Sequence, residues 1–307
     1  MSEDIRKKLY LTHNDIIGLN FVKTPARYYF RRHYRSGLRS HIMEILHFED
    51  LEREKNGVLI NGLMSFPRAR PRKVLRIFRS RFDSLGEAEA EPRRVIMIES
   101  FLAPEHIARS NEFIVEYIFS STRDFLLCGI QEYIEGEVID PWDNLDRDYF
   151  ASLYWRMGFE RKEGAEAQLN KWIARIRKQT EGFASSIRRL IQETGYIPDL
   201  AGVGNLILTR DAKVKLVDIN NVSRVRTGII PIDDRGYPVC DKSIEALSLL
   251  EQKILGKTDL ERDRLYRVIL DPSRRREVSA LVKSFHMTLS EGSLSRRSSY
   301  PSPDGKF

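Results

Sequence analysis

Tyr196-Ile-Pro-Asp199-Leu-Ala-Gly-Val-Gly-Asn205-Leu-Ile-Leu208 is followed, across Thr209-Arg-Asp-Ala212, by Lys213-Val-Lys-Leu-Val-Asp218-Ile-Asn220, and this stretch decides how the chain is read. Leu206-Ile-Leu208 and Val214-Lys-Leu-Val217 are short apolar runs bounded by turn residues, which predicts a β-hairpin. Asn205 and Asp218 then fall at the open ends of paired strands, so two oxygen-bearing side chains converge on one point. Such a pair suits a hard cation, because Mg²⁺ takes oxygen ligands in an octahedron and keeps waters and phosphates as the remainder. Asp199, just ahead of the first strand, is placed to accept a hydroxyl proton. The competing reading is an ordinary hairpin in which Asp and Asn are turn residues.

These residues resemble the protein-kinase-like fold, whose catalytic loop H-R-D-x-x-x-x-N and D-F-G motif supply an Asp base, a metal-binding Asn and a metal-binding Asp. Ile197-Pro198-Asp199 stands where H-R-D would, and Asp218-Ile219-Asn220 where D-F-G would. The resemblance implies ATP and Mg²⁺ as cofactors, Asp199 as the catalytic residue that positions an acceptor hydroxyl, and Asn205 and Asp218 as metal ligands. It departs from the pattern in three places. Asn205 comes six positions after Asp199, one more than in the motif, and the extra residue lies in Ala201-Gly-Val-Gly204, where glycines absorb a bulge. Ile197-Pro198 replaces His-Arg, and Asn220 replaces the last Gly.

Four more stretches resemble the same fold in the same order. Phe125-Leu-Leu-Cys-Gly-Ile-Gln-Glu-Tyr-Ile-Glu-Gly136 reads as a buried strand running into a polar linker and resembles the kinase hinge. The resemblance makes Glu132 to Ile134 the adenine-facing positions, Gln131 the back of the pocket, and Ile207 a nucleotide contact from the hairpin. Phe183, Ile187, Leu190 and Ile191 recur at helical spacing ahead of Asp199. Pro238-Val-Cys-Asp241-Lys-Ser243 opens a helix with an Asp or Ser cap, and the resemblance gives Asp241 the task of holding the catalytic loop's backbone. Leu270-Asp-Pro-Ser-Arg-Arg-Arg-Glu-Val278 resembles the turn before the last kinase helix.

In the first 120 residues the match is thinner. Arg72-Lys-Val-Leu-Arg-Ile-Phe78 reads as a basic strand, followed by a helix from Ser84 to Leu102 that contains Pro92, as strand three and helix C would be in a small lobe. In the family a strand lysine meets the phosphates and a helix Glu. Arg76 occupies the nearest position, with Lys73 the other candidate, and Glu87, Glu89 and Glu91 are the available partners. Arg is not equivalent to Lys there, since its planar fork binds phosphate in another geometry. No G-x-G-x-x-G occurs.

Length and apolar content agree with a two-lobed α+β protein of 307 residues: a small mixed lobe over about 1–133, a larger, mainly helical lobe over about 134–289, and a Ser/Pro-rich disordered tail over 290–307. Ile134 to Trp142 reads as a connector. Val222 to Tyr237 reads as a connecting loop, or an activation-type segment with Ser223 or Thr227 as a switch. Arg296-Arg297-Ser298-Ser299 offers hydroxyls beside cations, as a phosphoacceptor site would. No stretch has the roughly 20 apolar residues of a membrane span, no secretory leader is read at the start, and a cytoplasmic protein with no membrane partner is expected. Two cysteines, Cys128 and Cys240, support neither a disulfide framework nor a zinc site. No G-x-S-x-G elbow of a serine hydrolase is present.

The net charge of +7 is unevenly placed. Arg68, Arg70, Arg72, Lys73, Arg76, Arg79 and Arg81 crowd one segment, and Arg27, Arg31, Arg32, Arg35 and Arg39 another, interleaved with Tyr28, Tyr29, Phe30 and Tyr34. Cations mixed with aromatics suit phosphate contact plus base stacking, which makes nucleic acid a further candidate partner. The favoured reading of those residues is solvated strand edges around a core. Three functions therefore stand at this level: a phosphotransferase acting on a protein or small-molecule hydroxyl; a pseudokinase binding a nucleotide or partner; and, behind both, a nucleic-acid binder.

Overall fold

The computed structural model describes residues 3–23, 27–34, 37 and 39–297, with the side chains of all of these except 261 and 289–297. Arg35, Ser298 and Ser299 lie outside the described residues. The chain is mixed α and β, and it divides into two compact units, 1–135 and 136–307.

The first unit opens with helix α1 (His13–Ile17), started by a capping box in which Thr12 and Asp15 satisfy each other's backbone N–H. Strands β1 (Tyr28–Arg32) and β2 (Ser40–His47) follow, then helix α2 (Phe48–Asn56), the short pair β3 (Val58–Ile60) and β4 (Leu63–Ser65), and β5 (Lys73–Phe78). Helix α3 (Leu85–Leu102) leads to the hairpin β6 (Ser110–Phe119) and β7 (Thr122–Glu132). The main sheet is five-stranded and antiparallel, in the order β1-β2-β5-β7-β6. Leu75 and Ile77 of β5 face a core with Phe30, Met43, Leu126 and Cys128. By strand alternation, Val74, Arg76 and Phe78 point to the other side.

The expected strand and helix in this unit are both present, with Ser84 capping α3 through the Glu87 N–H. Pro92 does not interrupt that helix. Burial of Ala88, Val95, Ile98 and Leu102 outweighs the hydrogen bond that proline removes. The aromatic run at 28–34 is partly core: Phe30 is buried, Tyr29 stacks on His13 at 4.5 Å, and Arg31 is held by Glu44 and Glu54.

The second unit contains β8 (Glu137–Val138), α4 (Arg147–Arg156), the long α5 (Ala165–Thr194), β9 (Tyr196–Pro198), β10 (Leu206–Leu208), β11 (Val214–Leu216), β12 (Val222–Arg224), α6 (Val239–Lys253), α7 (Arg264–Ile269) and α8 (Pro272–Arg297). The predicted hairpin is β10–β11, and β8 adds on its other side in the order β11-β10-β8. The segment expected as a plain connector thus contributes a strand. Gly136 makes this possible, since a Cβ there would overlap the Leu208 carbonyl. A second pair, β12–β9, sets Val222 opposite Pro198, so the segment after Asn220 begins as a strand.

Helix α5 buries Phe183, Ile187 and Leu190 in the predicted stripe, while Ile191 stays half-buried. It ends at Gly195, whose φ of 72° is left-handed and suits glycine. Arg188 on α5 bonds Glu251 on α6 and Asp263 just before α7, and Tyr266 donates its hydroxyl to Glu251 at 2.6 Å. Asp271 caps α8, with Pro272 at the first helical position. That helix runs to Arg297, so residues 290–297 of the expected tail have helical backbone, and 298–307 lie outside the described residues. Among the described residues no helix is long and apolar enough to cross a membrane.

Candidate functional site

Asp199, Asn205 and Asp218 all belong to the second unit, and the loop from β9 to β10 gathers them. Asp199 leaves β9 with its N–H bonded to the Asn221 carbonyl at 2.8 Å, so the loop starts tied to the segment that follows Asp218. Its Oδ1 accepts from the Ala201 and Gly202 N–H groups at 2.9 and 3.0 Å, and its Oδ2 from Asn221 Nδ2 at 3.1 Å. Asn205 folds back and donates Nδ2 to the Asp199 carbonyl at 2.8 Å, which turns its Oδ1 to the opposite side of the amide. The Val217 N–H bonds the Asn205 carbonyl at 2.8 Å, and this places Asp218 beside Asn205 across the mouth of the hairpin.

The extra residue in the loop is absorbed by two glycines with different tasks. Gly204 takes a φ of 84°, open to glycine at no steric cost. Gly202 lacks a side chain because a Cβ there would overlap the Asn205 amide. Leu200 donates its N–H to Ser243 Oγ at 3.1 Å, so helix α6 holds the loop through a serine.

Asp199 is only 7% exposed. Burial, and then the negative charge of Asp218, push its carboxyl up to about 6, against the three hydrogen bonds that favour the charged form. The half-buried Tyr237 phenol is raised by burial and then by the charge of Asp199. A buried carboxylate, Asp199, thus feels the half-buried Asp218 and Tyr237, and a cation beside the two carboxylates would relieve their repulsion. The donor set fits magnesium, which needs few protein oxygens when phosphates and waters complete its shell. Among the described residues no group of three His, Cys, Asp or Glu has metal-holding geometry, so a metal here would rest on an amide oxygen and carboxylate rather than on an all-acid cage.

The chain matches no protein-family model and no curated protein. The reading of the site therefore rests on its residues.

Asp241 does not hold the loop. It is buried in the first turn of α6, and its carboxylate takes Arg274 Nε at 2.5 Å and Nη2 at 3.1 Å. Neither does it or Ser243 cap that helix, whose cap position is Pro238 without a side-chain bond. Arg274 in turn donates to the carbonyls of Arg226, Thr227 and Ile229. The pair fastens the segment after β12, while Ser243, two positions along the helix, takes the loop.

The remaining expected residues divide between the units. Ile207 is buried on β10, opposite Lys215 and Val138, with its Cγ2 close to Gly136. Arg76, Lys73, Glu132 and Ile134 lie in the first unit. Glu132 and Tyr133 use their N–H groups on the carbonyls of Arg109 and Arg72, and Gln131 is buried with Nε2 on the Ala108 carbonyl. Lys73 is exposed at the start of β5, whereas Arg76 is buried at its centre, with its guanidinium 5.2 Å from the Phe78 ring.

The bonds of the three expected glutamates go elsewhere than Arg76. Glu87 accepts from the Asp83 N–H, Glu89 from Arg93 and Glu91 from Arg94. The sheet register brings forward another acid. Arg76 lies opposite Gly129, and Gly129 opposite Glu112, so the three form one row on one face. A Cβ at Gly129 would overlap the Glu112 carboxylate, which therefore lies over β7 on the Arg76 side. A glycine inside a strand pattern was the available signal, since it marks close approach. Asn221 and Tyr237 were the other residues that motif reading passed over, with only the doubled Asn220-Asn221 as a hint, and Ser243 was read as a helix cap where it holds the loop at Leu200.

Proposed function

We propose that the chain is an ATP- and magnesium-dependent phosphotransferase with a protein-kinase-like centre in its second unit. The observation that carries this reading is the Asn205 Nδ2 bond to the Asp199 carbonyl, made in a loop where Asp218 also acts on Asp199. An ordinary turn has no use for a buried Asp, an Asn folded back on it and a second carboxylate in range, because burying like charges is costly.

Bound Mg²⁺ and ATP would supply the transferable phosphoryl group and the neutralising charge. Asn205 Oδ1 and the Asp218 carboxylate would hold the metal. Asp199 accepts a hydrogen bond from an acceptor hydroxyl, on a protein or a small molecule, and orients it. Its elevated pKa brings it near the working pH, which suits a group that takes and releases a proton. Asn221 and the Ala201 and Gly202 N–H groups keep the carboxylate in one rotamer. Catalysis of this type is mostly positioning and charge stabilisation. Arg76 and Lys73, the phosphate-directed candidates of the resemblance, belong to the first unit.

A pseudokinase is the second reading, and a specific observation favours it: the strand cation is a buried Arg beside an aromatic ring, in place of a lysine. Incubation with labelled ATP and Mg²⁺ against a panel of protein and small-molecule hydroxyl acceptors separates the two. Transfer that falls at least 100-fold in Asp199→Asn supports the enzyme. Mg²⁺-dependent nucleotide binding without transfer to any acceptor supports the pseudokinase, and transfer unchanged in Asp199→Asn overturns the assignment.

A further inference from the structure

Residues Asn56-Gly-Val-Leu-Ile-Asn-Gly-Leu-Met-Ser-Phe-Pro67 contain no charged side chain. They form β3 and β4 around Asn61-Gly62, both at positive φ (49° and 81°), the backbone of a tight hairpin turn. The side chains on this hairpin are apolar and uncovered: Leu59 is 71% exposed, Leu63 74%, Met64 58%, Phe66 62% and Ile60 51%. Soluble surfaces carry isolated apolar residues routinely, but a contiguous group of this size marks a contact site.

The register says what kind of contact. Leu59 pairs with Met64 on one face, and Ile60 with Leu63 on the other, so the ribbon is apolar on both sides. A rigid protein surface covers one face of a ribbon, whereas the headgroup and acyl boundary of a bilayer surrounds both. The flanks agree. Arg53 and Lys55 precede the hairpin, and Arg68, Arg70, Arg72 and Lys73 follow it, all exposed. The nearby acids are those of α2 and Glu135: Glu54 is held by Arg31 and the Ala69 N–H, Glu52 accepts from Asn56, Asp50 lies 3.9 Å from Arg53, Glu135 is held by Arg70, and Glu49 is exposed in the first turn of α2, so the cations after the hairpin carry the positive fringe.

We propose that the β3–β4 hairpin is a docking site for an anionic lipid surface, with the apolar tip dipping below the headgroups and the fringe of cations resting on them. The ribbon is two-stranded and its outer edges need water or headgroups as partners, so insertion stops at the interface. This inference does not depend on the phosphotransferase reading.

The test is sedimentation of the full chain with vesicles of phosphatidylcholine alone and with 30% phosphatidylglycerol. Binding to the anionic vesicles is expected, weakened by salt. Leu59→Glu/Leu63→Glu and Arg68→Glu/Arg70→Glu are each expected to lower the partition coefficient tenfold or more; all four positions are exposed, and unchanged circular dichroism checks the fold. Equal sedimentation with neutral and anionic vesicles, or a hairpin variant that binds like the parent, overturns the proposal. So does a hairpin-dependent dimer in analytical ultracentrifugation with no vesicle binding.

Discussion

Asp199 is where chemistry and stability oppose each other most directly. Its carboxyl is raised from an ordinary value of 3.8 to about 6, because burial and Asp218 disfavour the charge. A group whose folded pKa lies above its unfolded one favours the fold when protonated, so its cost is present at neutral pH and fades as pH falls through 6 towards 4. About two pKa steps correspond to on the order of 2–3 kcal/mol. Asp199→Asn is therefore expected to raise the melting temperature at pH 7.5 while removing the proposed phosphoryl transfer, and the gain should shrink by pH 4.5. Thermal melts of both proteins across that range check it; a variant less stable than the parent at pH 7.5 would count against the buried, repelled carboxylate. Gly202→Ala acts on the neighbouring group. A Cβ there displaces the Asn205 amide, and Mg²⁺-dependent nucleotide affinity is expected to fall by tenfold or more, with metal-free affinity unchanged, as read by calorimetry.

At the scale of elements, the Asp241–Arg274 pair carries the sharpest prediction. Asp241 is buried, and Arg274 is the link between α6, α8 and the carbonyls at 226, 227 and 229. Arg274→Ala leaves an unpaired buried carboxylate and should cost about 3–5 kcal/mol in urea unfolding, with Asp241→Asn/Arg274→Ala recovering part of it. Non-recovery would mean the carbonyl contacts dominate. Elements with strong local signatures were legible in sequence: β5, α3, the stripe of α5, and the β10–β11 hairpin came from periodicity and turn residues. Partner choice was not. Asp241 carries the same local pattern whether it caps a helix, holds a loop or takes an arginine, and only packing put Arg274 on it and Ser243 on Leu200. Glu112 escaped for a related reason. Its row with Arg76 is set by strand order across β7, and nothing in the spacing of residues 76, 112 and 129 encodes that order.

For the molecule as a whole, each compact unit has its own logic. The first is a five-stranded antiparallel sheet with α3 beyond β5 and an uncovered apolar hairpin inserted between α2 and β5. The second is helical and built around two small strand pairings that bring the carboxylates at 199 and 218 and the amide at 205 to one loop. The approach of residues 199, 205 and 218 was legible because Asp and Asn at the open ends of paired strands converge. Its supports were not, because Asn221, Tyr237 and Ser243 reach it through tertiary approach.

The central claim is that this loop binds a magnesium–nucleotide complex, and titration calorimetry of ATP into the full chain, with and without Mg²⁺, tests it most directly. The account predicts binding that needs the metal and is lost in an Asp218→Ala protein whose circular dichroism matches the parent. ATP affinity indifferent to Mg²⁺ and to Asp218→Ala, or no binding at all, would contradict it.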